Sequence, residues 1–255
     1  MSTKLRWGIL STARINRRLL GPIREASRSE LVGVASRSLD KATEYVAENN
    51  IPKSFGSYEE MLASSDIDVI YNPLPNGLHC EWTVKAAHAG KHVLCEKPVV
   101  TSLAELDQVE TAATTNNVTV FEAFMYLHHP QMQKIQEIAH SDRLGQLQLI
   151  NSWFSFYLPR KNRDNIRLQP DLTGGSMWDV GVYPNSLAIV TAQVGAPIEV
   201  WATQLVQEEG VDVGMQAQMR FSNGIIAQIA CGFRSPFRVG AQIVGERGYL
   251  NVSRP

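Results

Sequence analysis

The sequence predicts an α/β protein in which a doubly wound parallel sheet is followed by an α+β domain with a mostly antiparallel, open sheet. Two observations carry this prediction. Up to about residue 121, strand-like segments alternate with helical segments of roughly ten to fifteen residues, which is the pattern of βαβ units. After about residue 122, strand-like segments follow one another across short turns, which favours antiparallel pairing. We therefore expect two domains, residues 1–121 and 122–255.

The first half alternates between apolar strand-like runs and stretches whose apolar residues recur at helical spacing. Strands are predicted at 5–10, 30–36, 67–73, 92–96 and 118–121. Helices are predicted at 39–49, 76–90 and 101–117, at a segment opened by Ser57, and at the stretch that carries Ile15, Leu19, Leu20 and Ile23. Ser57 with Glu60 has the spacing of a capping box, and Thr101 or Ser102 is the expected N-cap of the last helix.

The second half reads as two helices and several strands. Helices are predicted at 131–140 and 174–193, with an irregular polar stretch at 159–173 between them. Strands are predicted at 146–156, 199–207, 213–221, 225–231 and 242–252, separated by turns such as 222–224 and 246–248.

Composition excludes several classes of protein. Hydrophobic residues make up 44% of the chain and charged residues 19%, which excludes a disordered protein. The 24 basic and 25 acidic residues leave no excess charge for nucleic acid or an anionic membrane. The three cysteines have no metal-ligand spacing, which indicates a reducing compartment, and we expect no metal site. The apolar runs are too short for a signal peptide or a membrane span, so we expect a cytoplasmic protein.

The turn after the first strand stands where a Rossmann-type dinucleotide site has its glycine-rich sequence GxGxxG. Here it reads Ser11-Thr12-Ala13-Arg14-Ile15-Asn16, with small residues in place of the first two glycines. Small side chains let a pyrophosphate approach the backbone, and the Thr12 hydroxyl can donate to it. We expect residues 11–15 to contact a dinucleotide; an ordinary turn between a strand and a helix is the alternative.

The end of the second strand predicts which dinucleotide is bound. An acidic residue there binds the ribose 2′-hydroxyl in sites that prefer NAD, but this chain has Ser36-Arg37-Ser38, with Lys41 one turn later. An arginine flanked by hydroxyls suits a 2′-phosphate. We therefore expect NADP, with NAD possible; the alternative is a solvated arginine at a helix N-terminus.

Four motifs in order along the chain resemble the Gfo/Idh/MocA family of oxidoreductases. They are Asn72-Pro73-Leu74-Pro75-Asn76 with His79, then Cys95-Glu96-Lys97-Pro98, then Glu122-Ala123-Phe124-Met125-Tyr126 with His129-Pro130, and the segment GGSMWDVGVYP at 174–184. The last segment is similar to the branch that contains dimeric dihydrodiol dehydrogenase, D-xylose dehydrogenase and glucose-fructose oxidoreductase.

The resemblance implies site residues. It assigns catalysis to Lys97, Asp179 and Tyr183, the tyrosine as acid/base and the lysine assisting. It adds contacts to the cofactor from Pro73, Leu74, Asn76, His79, Glu96 and Lys97, and it suggests a cis Lys97–Pro98 bond. Tyr126 and Trp178 are expected near the substrate. Asn165 and Arg167 either line the same site or belong to a plain surface loop.

These residues fit an alcohol oxidation, which needs a hydride acceptor, a base and a positive group that makes the base effective. Asp179 precedes Tyr183 by four residues, so one helix face can carry both, although Pro184 should kink or start a helix. The sequence thus predicts an NADP-dependent oxidoreductase that transfers hydride between nicotinamide and a sugar, polyol or dihydrodiol. The alternative is an inactive NAD(P)-binding regulator or sensor. Members of this family commonly pair through the open sheet, so we expect a homodimer. They usually continue beyond the strand at 248–252, so the resemblance implies that the second domain is shortened here, in a natural short form or in a truncated chain.

Overall fold

The computed structural model describes residues 4–253, without the side chains of residues 205–207. The chain divides into two compact units, Met1–Ala123 and Phe124–Pro255, and each unit contains one six-stranded sheet. The predicted ranges 1–121 and 122–255 include residues 1–3, 254 and 255, which lie outside the described residues. The assignment of these ranges to a dinucleotide-binding and a substrate-binding domain stays a prediction.

The first unit is a doubly wound parallel sheet, as predicted, with strand order β3-β2-β1-β4-β5-β6. The strands are β1 Leu5–Leu10, β2 Ser29–Ala35, β3 Lys53–Phe55, β4 Val69–Asn72, β5 His92–Cys95 and β6 Val120–Glu122. The helices are α1 Leu20–Glu25, α2 Leu39–Glu48, α3 Tyr58–Ala63, α4 His79–His88 and α5 Leu103–Thr115. The strand order runs outward in one direction from β1 and in the other direction from β4, so the topological switch point lies between these two strands. Ligands are expected at the carboxyl ends of strands at such a point.

The central strands are buried on both faces, which explains their continuous apolar sequences. Ile9, Leu10, Ile70 and Tyr71 are at most 1% exposed. Local sequence defines the helix starts: the Ser57 hydroxyl accepts from the Glu60 amide, and the hydroxyl of Ser102 rather than Thr101 caps α5. These contacts confirm the predicted N-termini.

The helix predicted after the first strand is not continuous. The chain forms a 3₁₀ turn, Arg14–Arg18, before α1 begins at Leu20. Pro22 explains the break because it has no amide hydrogen to donate to the preceding turn. Ile15 lies in the 3₁₀ turn and is 40% exposed, so it does not belong to the apolar face that the helical spacing predicted.

The second unit contains a sheet with strand order β12-β11-β7-β10-β9-β8, which is mostly antiparallel, as predicted. The one parallel pair among the described strands of this sheet, β7 with β10, was not predicted. The strands are β7 Leu147–Tyr157, β8 Glu199–Glu208, β9 Val211–Arg220, β10 Ile226–Gly232, β11 Arg234–Gly245 and β12 Tyr249–Val252. Helices α6 Pro130–Ala139 and α7 Val182–Ala192 contribute to a core in which Ile150, Leu187 and Ile243 are at most 1% exposed.

Two strands differ from the predictions. β3 was not predicted because three residues are too few to show alternation. β11 begins at Arg234 rather than at residue 242, and its register against β7 shifts between Arg234 and Arg238. A shifted register breaks the alternation by which a strand is recognised. No helix within residues 4–253 is long and apolar enough to cross a membrane.

Candidate active site

The turn after β1 has the conformation that a glycine usually supplies. Ser11 has φ +71°, its amide donates to the Ala35 carbonyl at 2.8 Å, and its own carbonyl accepts from the Asn16 side chain at 2.9 Å. Its hydroxyl is buried and has no partner among the described residues. Thr12 and Ala13 are half-buried beside it, whereas Arg14 and Ile15 are exposed. A tight turn with an unpaired buried hydroxyl fits the polar phosphate of a dinucleotide.

The end of β2 offers positive charge and no acidic residue. Ser36 is buried, and its hydroxyl accepts from the Ser38 amide at 3.3 Å. Ser38 caps α2 by accepting from the Lys41 amide at 3.4 Å. The two serine hydroxyls therefore shape the turn, while the side chains of Arg37 and Lys41 are exposed. This arrangement fits the 2′-phosphate of NADP better than the bare ribose of NAD.

The loop that carries Lys97 is held at several points within the first unit. The Lys97–Pro98 peptide bond is cis, as the resemblance suggested. The Tyr71 hydroxyl donates to the Glu96 carboxylate at 2.7 Å. The Val99 amide donates to the Glu122 carboxylate at 2.9 Å, and burial raises the pKa of Glu122. Lys97 itself is half-buried at the carboxyl end of β5, where the topology places ligands.

His79 joins this loop to the loop after β4. Its Nδ1 lies 2.7 Å from the Pro98 carbonyl oxygen and its Nε2 lies 2.6 Å from that of Leu74, and the ring is 1% exposed. Burial lowers the pKa of His79, while the two carbonyls act in the opposite direction. Both ring nitrogens are thus engaged within the fold. The direct contact of His79 with the cofactor stays a prediction. Pro73 and Leu74 are buried, and Asn76 is half-buried.

Asp179 and Tyr183 lie on one helical segment of the second unit, but this segment is not a regular α-helix. Met177–Gly181 forms a π-helical turn that leads into α7 at Val182. Pro184, in the first turn of α7, has no amide hydrogen for a helical hydrogen bond, and a missing helical hydrogen bond is a known cause of such irregularity. π-helical turns are frequent at functional sites.

Arg167 is the ion-pair partner of Asp179. Its Nε lies 2.6 Å from Oδ2 of Asp179, whose side chain is 16% exposed. Asn165 accepts from the Arg167 amide at 3.0 Å and so caps the 3₁₀ turn at Ile166–Leu168. The irregular polar stretch therefore contributes to the environment of Asp179 through Arg167, while Asn165 shapes the turn.

Aromatic rings surround Tyr183. Phe154, Phe124 and Tyr126 have ring centroids 5.6, 5.7 and 5.9 Å from that of Tyr183. The Tyr183 hydroxyl lies 3.8 Å from the Met125 sulfur, a weak acceptor. We predicted Tyr126 but missed Phe124 and Phe154; Phe124 stands inside a motif that we had identified, whereas nothing in the strand sequence marks Phe154.

Two predicted substrate residues have different surroundings. The Tyr126 hydroxyl donates to the Ser186 hydroxyl at 2.8 Å, and burial raises the pKa of Tyr126 to about 12. Its hydroxyl is thus engaged within the fold, while its ring faces Tyr183. Trp178 is half-buried in the π-helical turn, next to Asp179.

The described part of the chain contains no group of three His, Cys, Asp or Glu side chains that could hold a metal ion. Cys80, Cys95 and Cys231 are free and buried. Burial raises the pKa of the Cys231 thiol to about 11, so this group is protonated near neutral pH.

Comparison with known proteins matches both units to one family. The family model described as an oxidoreductase family with an NAD-binding Rossmann fold matches residues 5–124. The model of the Gfo/Idh/MocA C-terminal domain matches residues 132–251.

Individual relatives agree with this result. The chain is 40% identical over 231 residues to D-xylose 1-dehydrogenase (NADP(+)) 2 of Haloferax volcanii, covering 90% of this chain and 70% of that protein. It is 30% identical to trans-1,2-dihydrobenzene-1,2-diol dehydrogenase of Danio rerio, covering 97% and 74%. A 3-ketoreductase from Actinomadura kijaniata, solved with NADP and TDP-benzene, superposes with a TM-score of 0.91 at 29% identity, covering 99% and 78%. The chain therefore belongs to the Gfo/Idh/MocA family of oxidoreductases.

Proposed function

We propose that this oxidoreductase uses NADP and transfers hydride to or from a carbon of a sugar, polyol or dihydrodiol. The observation that carries the proposal is the helical segment of the second unit, where a half-buried phenol, Tyr183, follows the ion-paired carboxylate of Asp179 by four residues. A phenol and an anchored carboxylate are suited to moving the proton of an alcohol.

The cofactor would be held by the first unit. The turn of residues 11–15 would receive the pyrophosphate, since the unpaired Ser11 hydroxyl lies there. Arg37 and Lys41 would neutralise the 2′-phosphate. When bound, NADP supplies the nicotinamide carbon that takes or gives hydride. The name of the Haloferax relative and the bound NADP of the Actinomadura enzyme support this choice over NAD.

The catalytic group that we propose is Lys97, Asp179 and Tyr183. The Tyr183 hydroxyl holds or receives the proton of the substrate hydroxyl, and Asp179 with Arg167 orients the turn that precedes it. Lys97 supplies a positive charge. The rings of Phe124, Tyr126 and Phe154 form an apolar wall beside Tyr183, and such a wall suits the C–H faces of a pyranose or the ring of a diol.

A substrate panel tests the proposal. Aldoses, polyols, dihydrodiols and dicarbonyls are incubated with NADP or NADPH, and with NAD or NADH, while nicotinamide absorbance is followed. We expect turnover with at least one sugar or diol and a higher kcat/KM with NADP than with NAD. Tight binding of NADP without turnover of any substrate would support the alternative function, a regulator or sensor. Equal affinities for the two cofactors would contradict the NADP assignment.

We also propose a homodimer that forms through the sheet of the second unit. A groove of about 800 Å³ on this sheet is lined by Trp153, Trp201, Gln216, Gln218 and Arg238, among others. Trp201 is 52% exposed, and the Arg238 guanidinium lies 4.6 Å from the ring centroid of Trp153. Sedimentation equilibrium should give a dimer that Trp201→Glu dissociates and that Leu103→Glu, on α5, leaves intact. A monomeric wild type would contradict the proposal.

The cellular location that we propose is the cytoplasm. All three cysteines are free, which suits a reducing compartment. Fractionation of the source cells with an antibody against the chain tests this assignment.

A further inference from the structure

The Gly174–Met177 turn, which leads into the helical segment of Asp179 and Tyr183, is anchored by a buried carboxylate from the sheet. Asp212, the second residue of β9, is 9% exposed. Its Oδ2 accepts from the Ser176 hydroxyl at 2.5 Å and from the Met177 amide at 2.9 Å. Ser176 is fully buried. Asp212 therefore accepts from two donors at the start of the π-helical turn, where backbone amides have no partner within the helix.

The Asp212 carboxylate also lies very close to the backbone of Gly175. Its φ is +112°, and a Cβ at this position would lie 2.3 Å from Oδ1 of Asp212. The Gly175 amide donates to the Arg167 carbonyl at 2.8 Å, and the Gly175 carbonyl accepts from the Asp179 amide at 3.1 Å. The backbone that leads to Asp179 is thus held from two sides, by Asp212 on β9 and by the Arg167 backbone.

We propose that Asp212 is a positioning residue for the reaction and that it acts by fixing the start of the segment that carries Asp179 and Tyr183. This role of Asp212 rests on the proposed function, because it concerns the same reaction. Misplacing reacting groups by about 1 Å can cost up to roughly a hundredfold in rate even when the displaced residue is remote from the chemistry. The loss should appear in kcat, because the cofactor residues belong to the first unit, which Asp212 does not contact through these bonds.

The test compares Asp212→Ala with Asp212→Asn. Asparagine keeps an oxygen that can accept from both Ser176 and Met177. Alanine removes this acceptor from both donors and leaves the Ser176 hydroxyl only the Cys231 sulfur, 3.5 Å away. Thr191→Val is the matched control, because the fully buried Thr191 hydroxyl accepts from the Gln136 side chain at 3.1 Å near the far end of α7. Each protein is measured for kcat, KM, the Kd of NADP and amide hydrogen exchange across residues 175–183.

For Asp212→Ala we expect kcat to fall about tenfold or more, the Kd of NADP to stay within about twofold, and exchange to accelerate at Met177 and Asp179. Asp212→Asn should restore kcat to within about threefold of wild type, and Thr191→Val should change neither kcat nor this exchange. If Asp212→Ala does not fold, Ser176→Ala replaces it and should change kcat and exchange in the same direction by less.

Two results would overturn the proposal. One is faster exchange with an unchanged kcat, which would make Asp212 a purely structural residue; the other is unchanged exchange. If the wild type turns over no substrate of the panel, the proposed function fails instead. In that case the difference in amide hydrogen exchange between Asp212→Ala and Asp212→Asn still decides whether Asp212 fixes the segment.

Discussion

The guanidinium of Arg167 lies 2.6 Å from the carboxylate of Asp179, across twelve residues of chain. This ion pair links the irregular polar stretch of the second unit to the segment that carries Tyr183. Arg167 is itself anchored, because its amide donates to Asn165 and its carbonyl accepts from Gly175. We therefore propose that Arg167 positions Asp179 for the proposed catalytic group.

Loss of this pair should reduce turnover. Arg167→Leu removes the ion pair of a mostly buried carboxylate, so we expect kcat to fall about tenfold, equivalent to roughly 1.4 kcal/mol. In a double-mutant cycle with Asp179→Asn the two losses should not add, because both remove the same interaction. Arg163→Leu is the control, since Arg163 is in the same stretch and its side chain is 74% exposed. Additive losses of kcat would show that Arg167 and Asp179 act independently.

Arg37 should determine the choice of cofactor. Arg37→Ala removes the exposed positive charge that follows β2, so we expect the Kd of NADP to rise about tenfold or more while that of NAD changes little. Arg28→Ala, at the other end of β2, is the matched control and should change neither value. Isothermal titration with both cofactors measures this effect. An equal rise in the Kd of NADP and of NAD would show that Arg37 does not bind the 2′-phosphate.

Ser11 should be a source of strain in the cofactor-free protein. Its positive φ costs a non-glycine residue about 1–2 kcal/mol, and its unpaired buried hydroxyl costs about 1–3 kcal/mol. Glycine loses about 0.5–1 kcal/mol more backbone entropy on folding. These terms leave a net gain of at least about 1 kcal/mol, so we expect Ser11→Gly to raise the Tm of the cofactor-free protein by at least about 2–4 °C.

The control for this prediction is Ser27→Gly, which makes the same change at an exposed position without a positive φ. It should leave the Tm unchanged or lower it. Calorimetry of both variants measures the difference, and a lower Tm for Ser11→Gly would mean that the serine stabilises its own turn.

The pair of Arg6 and Asp68 should make stability depend on pH. Arg6 donates to Asp68 through Nε at 2.9 Å and Nη2 at 2.7 Å, and these bonds lower the pKa of Asp68. A carboxyl with a lowered pKa in the folded state stabilises the fold above its unfolded pKa of about 3.9. This contribution is lost as the pH falls through the lower folded pKa.

Asp68→Asn should therefore lower the Tm at pH 7, and the difference from wild type should shrink as the pH falls below about 4. Asp107→Asn, on the exposed face of α5, is the control and should produce no such dependence. Thermal unfolding followed from pH 2 to pH 7 measures both variants. A difference that stays constant over this range would contradict the role of the ion pair.

Much of the fold was predictable because its signals are local. The apolar runs of β1 and β4 and the caps at Ser57 and Ser102 are each contained in a few neighbouring residues. The break before α1 was missed although Pro22 marks it, because the apolar spacing of Ile15, Leu19 and Ile23 suggested one helix. The start of β11 was missed because its register shift hides the alternation.

The candidate site was less predictable because its contacts join distant residues. The motifs identified Lys97, Asp179 and Tyr183, but the pairing of Arg167 with Asp179 and of Asp212 with Ser176 needs the fold. Asp212 is separated from Ser176 by 36 positions, and no local pattern around it points to a helix start. His79 matched a motif, yet its engagement of two carbonyls depends on two loops that only the folded sheet brings together.

Turnover of Tyr183→Phe, measured through nicotinamide absorbance with the best substrate of the panel, tests most directly whether this phenol moves the proton of the substrate. The ring is kept and only the hydroxyl is lost, so we expect kcat to fall about a hundredfold or more while the Kd of NADP stays within about twofold. Lys97→Ala should also lower kcat strongly. Near-normal turnover by Tyr183→Phe would show that this phenol does not move the proton of the substrate.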